Sequence, residues 1–141
     1  MTTAQKKPRI LFVDDEEFIL NSLRRNLRDM EDEWEMTFTE SGSTAIELLD
    51  KYPFDAVVTD MEMPVVQGWR LLRHIGEKHP AVVKIMLTGN CDMFTALMQV
   101  PGHFDYLTKP VNVDALKLLI LRRLSEPPQE ELPPQAMRDT H

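Results

Sequence analysis

In the segment DAVVTDMEMP, residues 55–64, an apolar run ends abruptly at a carboxylate. Ala56, Val57 and Val58 are typical of a buried strand, which Thr59 and Asp60 close. Pro64 follows shortly afterwards, and proline does not continue a central strand. By itself Asp60 fits a helix cap, a turn residue or a reactive group, and the rest of the chain has to decide between them.

Four other short runs resemble this one and are separated from it by segments of helical period. The five runs are RILFV (9–13), EMTFT (35–39), DAVVT (55–59), VVKIML (82–87) and FDYL (104–107). Strict alternation of strands and helices predicts an α/β fold with a doubly wound, five-stranded parallel sheet. Three runs are apolar on both faces, as central strands are, whereas EMTFT alternates, which predicts an edge strand.

Five helical patterns lie between and after these strands. The first carries Phe18, Ile19, Leu23 and Leu27 on its predicted core face and starts at Asp14, Asp15 or Glu16. The second opens with Ser43 and Thr44. The others are GWRLLRHIGEKHP (68–80), DMFTALMQV (92–100) and NVDALKLLILRRL (112–124), the last with the cap candidate Asn112.

Composition narrows the function classes. The formal net charge is -7 with no basic stripe, which argues against nucleic acid as a direct partner. One cysteine, Cys91, excludes an internal disulfide. The spacing of the four histidines suggests no metal site, so His74 and His79 are interpreted as helix-surface residues and His103 as a loop residue.

No apolar N-terminal segment and no run of membrane-spanning length is present, so we expect a cytoplasmic protein without membrane contact. Residues 1–7 form an N-terminal extension, and residues 8–125 form the predicted folded domain. Residues 126–141 are rich in proline and acidic residues, which predicts a tail or linker.

Charged and hydroxyl side chains follow four of the five predicted strands. Asp14 and Asp15 follow the first, Asp60 the third, Thr88 the fourth and Lys109 the fifth. Ligands of open α/β sheets bind outside the carboxyl ends of the strands. Carboxylates meeting there repel each other unless a cation joins them, and a small set of carboxylates suits Mg²⁺ completed by a phosphate oxygen. With Lys109 and Thr88 as phosphate partners, the pattern predicts phosphoryl transfer to Asp60.

The segments ILFVDDEEFI (10–19), DAVVTDMEMPVVQG (55–68), IMLTG (85–89) and YLTKP (106–110) resemble the receiver domain of two-component response regulators. The resemblance covers about residues 8–125 and implies a flavodoxin-like fold with strand order 2-1-3-4-5. It implies that a histidine kinase, a phosphotransfer protein or a small phosphodonor phosphorylates Asp60, in a reaction that the receiver itself catalyses without being a turnover enzyme. Asp14, Asp15, Asp60 and the backbone carbonyl of Glu62 would hold Mg²⁺.

The resemblance also implies a switch. Thr88 and Lys109 would hold the phosphoryl oxygens, Tyr106 would be the switch aromatic, and a cis peptide bond before Pro110 would present Lys109. The face made by the fourth predicted helix, the fifth strand and the fifth predicted helix would then change, for signal output or for a homodimer.

Two other functions remain open at this point. An aspartyl-phosphate hydrolase would use a nucleophilic aspartate followed two residues later by a second acid, normally after the first strand. In this chain the corresponding pair, Asp60 and Glu62, follows the third predicted strand. A degenerate receiver would no longer take phosphate, although Asp60, Thr88, Lys109 and both early acids are retained. The amino-acid sequence also resembles receivers joined to cyclic-di-GMP phosphodiesterase or HDOD-type output modules. We therefore expect either a stand-alone receiver or an excised domain.

Overall fold

Five parallel strands form a single sheet in the computed structural model, which describes residues 7–60, 68–89 and 103–126. The strands are β1 (Arg9–Val13), β2 (Glu35–Thr39), β3 (Ala56–Asp60), β4 (Val83–Thr88) and β5 (Asp105–Thr108). The helices of the described residues are α1 (Glu17–Asn26), α2 (Gly42–Lys51), α3 (Gly68–Lys78) and α4 (Val113–Leu124), with a short 3-10 helix at Arg28–Met30.

The strand order is β2-β1-β3-β4-β5, which confirms the doubly wound, flavodoxin-like fold. Pairing registers Phe12 of β1 against Phe38 of β2 and Val58 of β3, and the rings of Phe12 and Phe38 stack with centroids 4.8 Å apart. As its alternating pattern predicted, β2 lies at an edge, and every residue of the central β3 is buried. Burial on both faces explains why β1 and β3 contain continuous apolar runs and why the run of β4 is apolar apart from the buried Lys84.

The two faces of the sheet have separate apolar cores. On one face, Leu11, Val13, Val57 and Met86 pack against α2 and α3. On the other face, the alternate strand residues pack against α1 and α4, through Leu20, Leu23, Leu116 and Ile120 among others. Successive residues of a strand point to opposite faces, so each central strand contributes to both cores.

Local signals set the element boundaries to within a few residues of the prediction. Ser41 rather than Ser43 caps α2, since its hydroxyl accepts the Thr44 N–H at 3.1 Å. Asn112 caps α4 as predicted, its side-chain oxygen accepting the Ala115 N–H at 3.0 Å. The ends of β3, β4 and β5 lie one residue later than their apolar runs, because backbone pairing continues into the polar residue that follows each run.

The prediction that Phe18 faces the core was wrong, because its side chain is 79% exposed. Consecutive helix residues are about 100° apart around the axis. In α1 the sheet-facing side belongs to Ile19, Leu20 and Leu23, which leaves Phe18 on the outer side.

The predicted fourth helix, at 92–100, and most of the predicted tail lie outside the described residues. None of the described helices has the length and apolar character needed to cross a bilayer.

Candidate functional site

Four predicted site residues meet at the carboxyl edge of the sheet. Asp14 directly follows β1, Asp60 ends β3, Thr88 ends β4 and Lys109 follows β5. The β1–β2 ladder extends one step into this edge, since the Asp14 N–H donates to the Thr39 carbonyl at 3.2 Å. Because neighbouring parallel strands end at the same level, side chains from distant parts of the sequence converge here.

Lys109 ties two of these carboxylates together. Its Nζ lies 3.0 Å from Asp60 Oδ1 and 3.7 Å from Asp14 Oδ2. The Lys109 backbone N–H donates to the Thr88 carbonyl at 2.9 Å, which anchors the residue beside β4. The Lys109–Pro110 peptide bond is cis, as the sequence resemblance implied.

Asp14 is buried and only partly satisfied. Its Oδ1 accepts the Glu16 backbone N–H at 2.9 Å, whereas Oδ2 has no hydrogen-bond partner within the described part of the chain. Burial raises the pKa of Asp14 from 3.8 to about 6, with a further rise from the Asp60 charge, while the Glu16 N–H and Lys109 oppose it. This carboxylate therefore bears its charge at neutral pH at a cost in free energy.

Burial alone lowers the pKa of Lys109, but the hydrogen bond to Asp60 and the charges of Asp14 and Asp60 outweigh it. The net effect raises the pKa above 10.5, so the amine is a fixed positive charge. Its side chain is 21% exposed, which leaves it within reach of a ligand that approaches the sheet edge.

The acidic residues here fit a divalent cation. One carboxylate oxygen from each of Asp14, Asp15 and Asp60 can be chosen so that all three lie within 4.8 Å of one another. When ionised, three carboxylates and Lys109 carry a net charge of about -2, and one dication balances it. Carboxylate oxygens are the ligands Mg²⁺ prefers, and Asp14 Oδ2, which accepts no hydrogen bond from the described residues, offers one. Glu62, whose carbonyl was the fourth predicted ligand, lies outside the described residues.

The two predicted switch residues lie on the same face of the sheet. In the β4–β5 register Tyr106 is opposite Met86, and Thr88 is two residues further along β4. Thr88 is buried, whereas Tyr106 is 47% exposed.

A family model described as the response regulator receiver domain matches residues 10–121. The chain belongs to the response regulator receiver family.

One curated relative and two solved structures illustrate the likeness of this receiver to known proteins. Response regulator protein PilR of Pseudomonas aeruginosa is 35% identical over 130 residues, which are 90% of this chain and 29% of PilR. The signal receiver domain of an HD domain-containing protein from Pseudomonas fluorescens superimposes with a TM-score of 0.78 at 27% identity, covering 88% of this chain and 91% of that one.

The receiver domain of a sensor histidine kinase from Pseudomonas aeruginosa was crystallised with a magnesium ion coordinated in its active site cleft. Its TM-score is 0.75 at 23% identity, covering 86% of this receiver and all of that chain, and this likeness concerns the fold alone. The receiver spans less than a third of the length of the curated relatives it matches.

The sequence interpretation missed a second polar cluster. His74 and His79 are not simply helix-surface residues, because both rings contact Asp50 of α2 and their side chains are only 23% and 26% exposed. His79 also lies just beyond the end of α3 rather than within it. The spacing of the histidines along the chain carried no signal of this, since the third partner comes from another helix.

Proposed function

We propose that this receiver is a phosphorylation-dependent switch in which Asp60 accepts a phosphoryl group from a histidine kinase, a phosphotransfer protein or a small phosphodonor. The observation that carries the proposal is the buried Asp60 carboxylate, paired with Lys109 at 3.0 Å beside an Asp14 oxygen that accepts no hydrogen bond from the described residues. A carboxylate held at a sheet edge beside a fixed cation is arranged to receive a phosphoryl group.

In the proposed reaction, one Asp60 carboxylate oxygen forms a bond to phosphorus while the bond from phosphorus to the donor atom breaks. With phosphohistidine the leaving group is the imidazole nitrogen, and with acetyl phosphate it is acetate. The Lys109 amine neutralises charge on the phosphoryl oxygens, and the Thr88 hydroxyl donates a hydrogen bond to one of them. The chain is self-modified in this reaction and is not a turnover enzyme.

Mg²⁺ is the proposed cofactor, held by Asp14, Asp15, Asp60 and the backbone carbonyl of Glu62. When bound, the ion supplies charge neutralisation for the phosphoryl oxygens. The three carboxylates within 4.8 Å of one another and the raised pKa of Asp14 support this assignment, because both features favour a cation.

The proposed switch couples Thr88 to Tyr106. Phosphorylation replaces the single charge of the Asp60 carboxylate by a phosphoryl group with about two negative charges and three acceptor oxygens at the end of β3, and Thr88 moves toward it. Tyr106, half exposed on the same sheet face, then turns inward into the space left by Thr88. This change remodels one face of the domain, made by the helix predicted at 92–100, by β5 and by α4 (Val113–Leu124). We propose that this face serves signal output or a homodimer.

In this proposal an output module on the same polypeptide, or a separate partner protein, binds this face. The pathway is cytoplasmic, and the receiver itself contacts neither nucleic acid nor membrane. The linked output module is proposed to be of HDOD or cyclic-di-GMP phosphodiesterase type, and the 27% identity with a receiver domain from an HD domain-containing protein supports a linked module in general. The short share of PilR that the chain covers supports such a multidomain arrangement.

Intact mass spectrometry with acetyl phosphate tests the phosphotransfer proposal. The wild-type chain in Mg²⁺ is expected to gain one phosphoryl group, and the gain is expected to vanish in Asp60→Asn and in excess EDTA. The control Asp55→Asn removes another carboxylate at the opposite end of β3 and should leave the adduct intact. Phosphate release without an adduct would indicate a hydrolase, and neither adduct nor release would indicate a receiver that no longer takes phosphate.

A further inference from the structure

A second cluster of metal-ligating side chains lies away from the carboxyl edge of the sheet, where α2 and α3 end. Asp50 is the penultimate residue of α2, His74 lies in the second half of α3, and His79 follows its last residue. His79 Nε2 lies 2.8 Å and His74 Nε2 3.1 Å from the same oxygen, Asp50 Oδ1. The two rings are 5.8 Å apart between centroids and are tilted by 54°.

We propose that Asp50, His74 and His79 form a binding site for a divalent transition metal ion of the Zn²⁺ type. This site is separate from the acidic one at Asp60. A metal bound there would fasten the end of α2 to the end of α3.

The donor set selects the class of metal. Two imidazole nitrogens and one carboxylate oxygen suit Zn²⁺ and neighbouring first-row metals, whereas Mg²⁺ prefers an all-oxygen set. Three protein ligands with a water in the fourth position are a common arrangement for zinc. Asp50 is half exposed, which leaves room for that water and a path for the ion.

The two distances from the histidine nitrogens to Asp50 Oδ1 are close to those that zinc needs. One ligand atom from each residue can be chosen so that all three lie within 4.8 Å of one another. Bonds of about 2.0–2.2 Å in tetrahedral geometry place neighbouring ligand atoms roughly 3.3 Å apart. The nitrogen–oxygen distances of 2.8 and 3.1 Å therefore have to widen by only a few tenths of an ångström, and three partly exposed side chains can move that far.

The protons and the local charge are also compatible with a metal. The hydrogen bonds from His79 and then His74 lower the pKa of Asp50, so its carboxylate is ionised at neutral pH and can only accept. Each contacting Nε2 therefore carries its hydrogen in the metal-free protein, and moving it to Nδ1 frees Nε2 as a ligand without changing the charge of a neutral ring. In addition, the carbonyl ends of two helices favour a cation near the C termini of α2 and α3.

The rival explanation is that the three side chains only hydrogen-bond the two helices together. Two measurements with Zn²⁺ as the probe separate these explanations. Both use the Asp60→Asn chain with excess Mg²⁺, so that Zn²⁺ binding at the acidic site does not contribute to the signal. The first follows the ring nitrogens by NMR during titration. The expected result is a large shift of the Nε2 signals of His74 and His79, while His103 is unchanged.

The second measurement is a competition titration against a chromophoric chelator. His74→Gln and His79→Gln are each expected to weaken Zn²⁺ binding by at least about tenfold. The matched control is His103→Gln, which removes a ring beside Asp105 outside the cluster and should leave binding unchanged. Zn²⁺ binding that is equal in all chains, or ring signals that do not move, would overturn the proposal. The NMR result does not depend on whether the variants fold.

Discussion

Replacing Asp14 by asparagine should stabilise the metal-free receiver at neutral pH. The folded-state pKa of about 6 lies above the unfolded value of 3.8. Between these two pH values Asp14 is therefore protonated in the folded chain and ionised in the unfolded chain. Stability from this group is present below pH 3.8 and is lost as the pH rises through about 6. The full loss corresponds to about 3 kcal/mol. Asparagine keeps an oxygen for the Glu16 N–H but does not ionise, so it avoids this loss.

Urea denaturation in EDTA at several pH values measures the effect. The unfolding free energy of Asp14→Asn minus that of the wild type should grow by about 2 kcal/mol between about pH 4.5 and pH 7.5, since part of the 3 kcal/mol is already lost at the lower pH. Saturating Mg²⁺ should stabilise the wild type and have much less effect on the variant, because the ion would have lost one of its ligands.

The control is Asp114→Asn, which removes one negative charge from an exposed position in the first turn of α4. Its difference from the wild type should vary little over the same pH range. If the curves of Asp14→Asn and the wild type run parallel with pH, burial does not destabilise the Asp14 carboxylate. A cation would then gain no electrostatic advantage from a buried Asp14 charge.

Two further changes test the site. Asp15→Ala should weaken Mg²⁺ binding by at least about tenfold, since losing even an outer-shell partner of a metal typically costs that much. Titration calorimetry checks this against Glu17→Ala, a matched acidic control in α1, and equal affinities would remove Asp15 from the metal site. Lys109→Met should slow phosphorylation by acetyl phosphate roughly 100-fold, because the charge paired with Asp60 at 3.0 Å is gone. A stopped-flow rate within about twofold of the wild type would show that Lys109 does not assist the transfer.

Much of the fold could be predicted because its signals are local. The apolar runs of the central strands predicted the two ends of β1 as they are observed. They predicted the ends of β3 and β4 to within one residue. Alternation along β2 identified an edge strand, since a strand with fewer neighbours has less surface to bury. The N-cap of α2 could not be chosen from the sequence, because Ser41, Ser43 and Thr44 all have suitable hydroxyls. The path of the backbone selects Ser41.

At the carboxyl edge, the order of charged residues along the chain predicted which side chains would meet. It did not distinguish Asp14 from Asp15, two adjacent residues of the same chemistry. In the part of the chain that the structure describes, Asp14 is buried and one of its oxygens accepts no hydrogen bond, while Asp15 is partly exposed. That difference depends on which way each side chain leaves the end of β1.

The succession of strands and helices and the set of groups at the strand ends can be read along the chain, because both follow from neighbouring residues and from the parallel sheet that they build. The outward position of Phe18 and the contact of Asp50 with His74 and His79 are set by the folded arrangement of the helices. These outcomes depend on how each helix is rotated and on which other helix lies beside it. Periodicity along one segment carries no information about its neighbour across the fold.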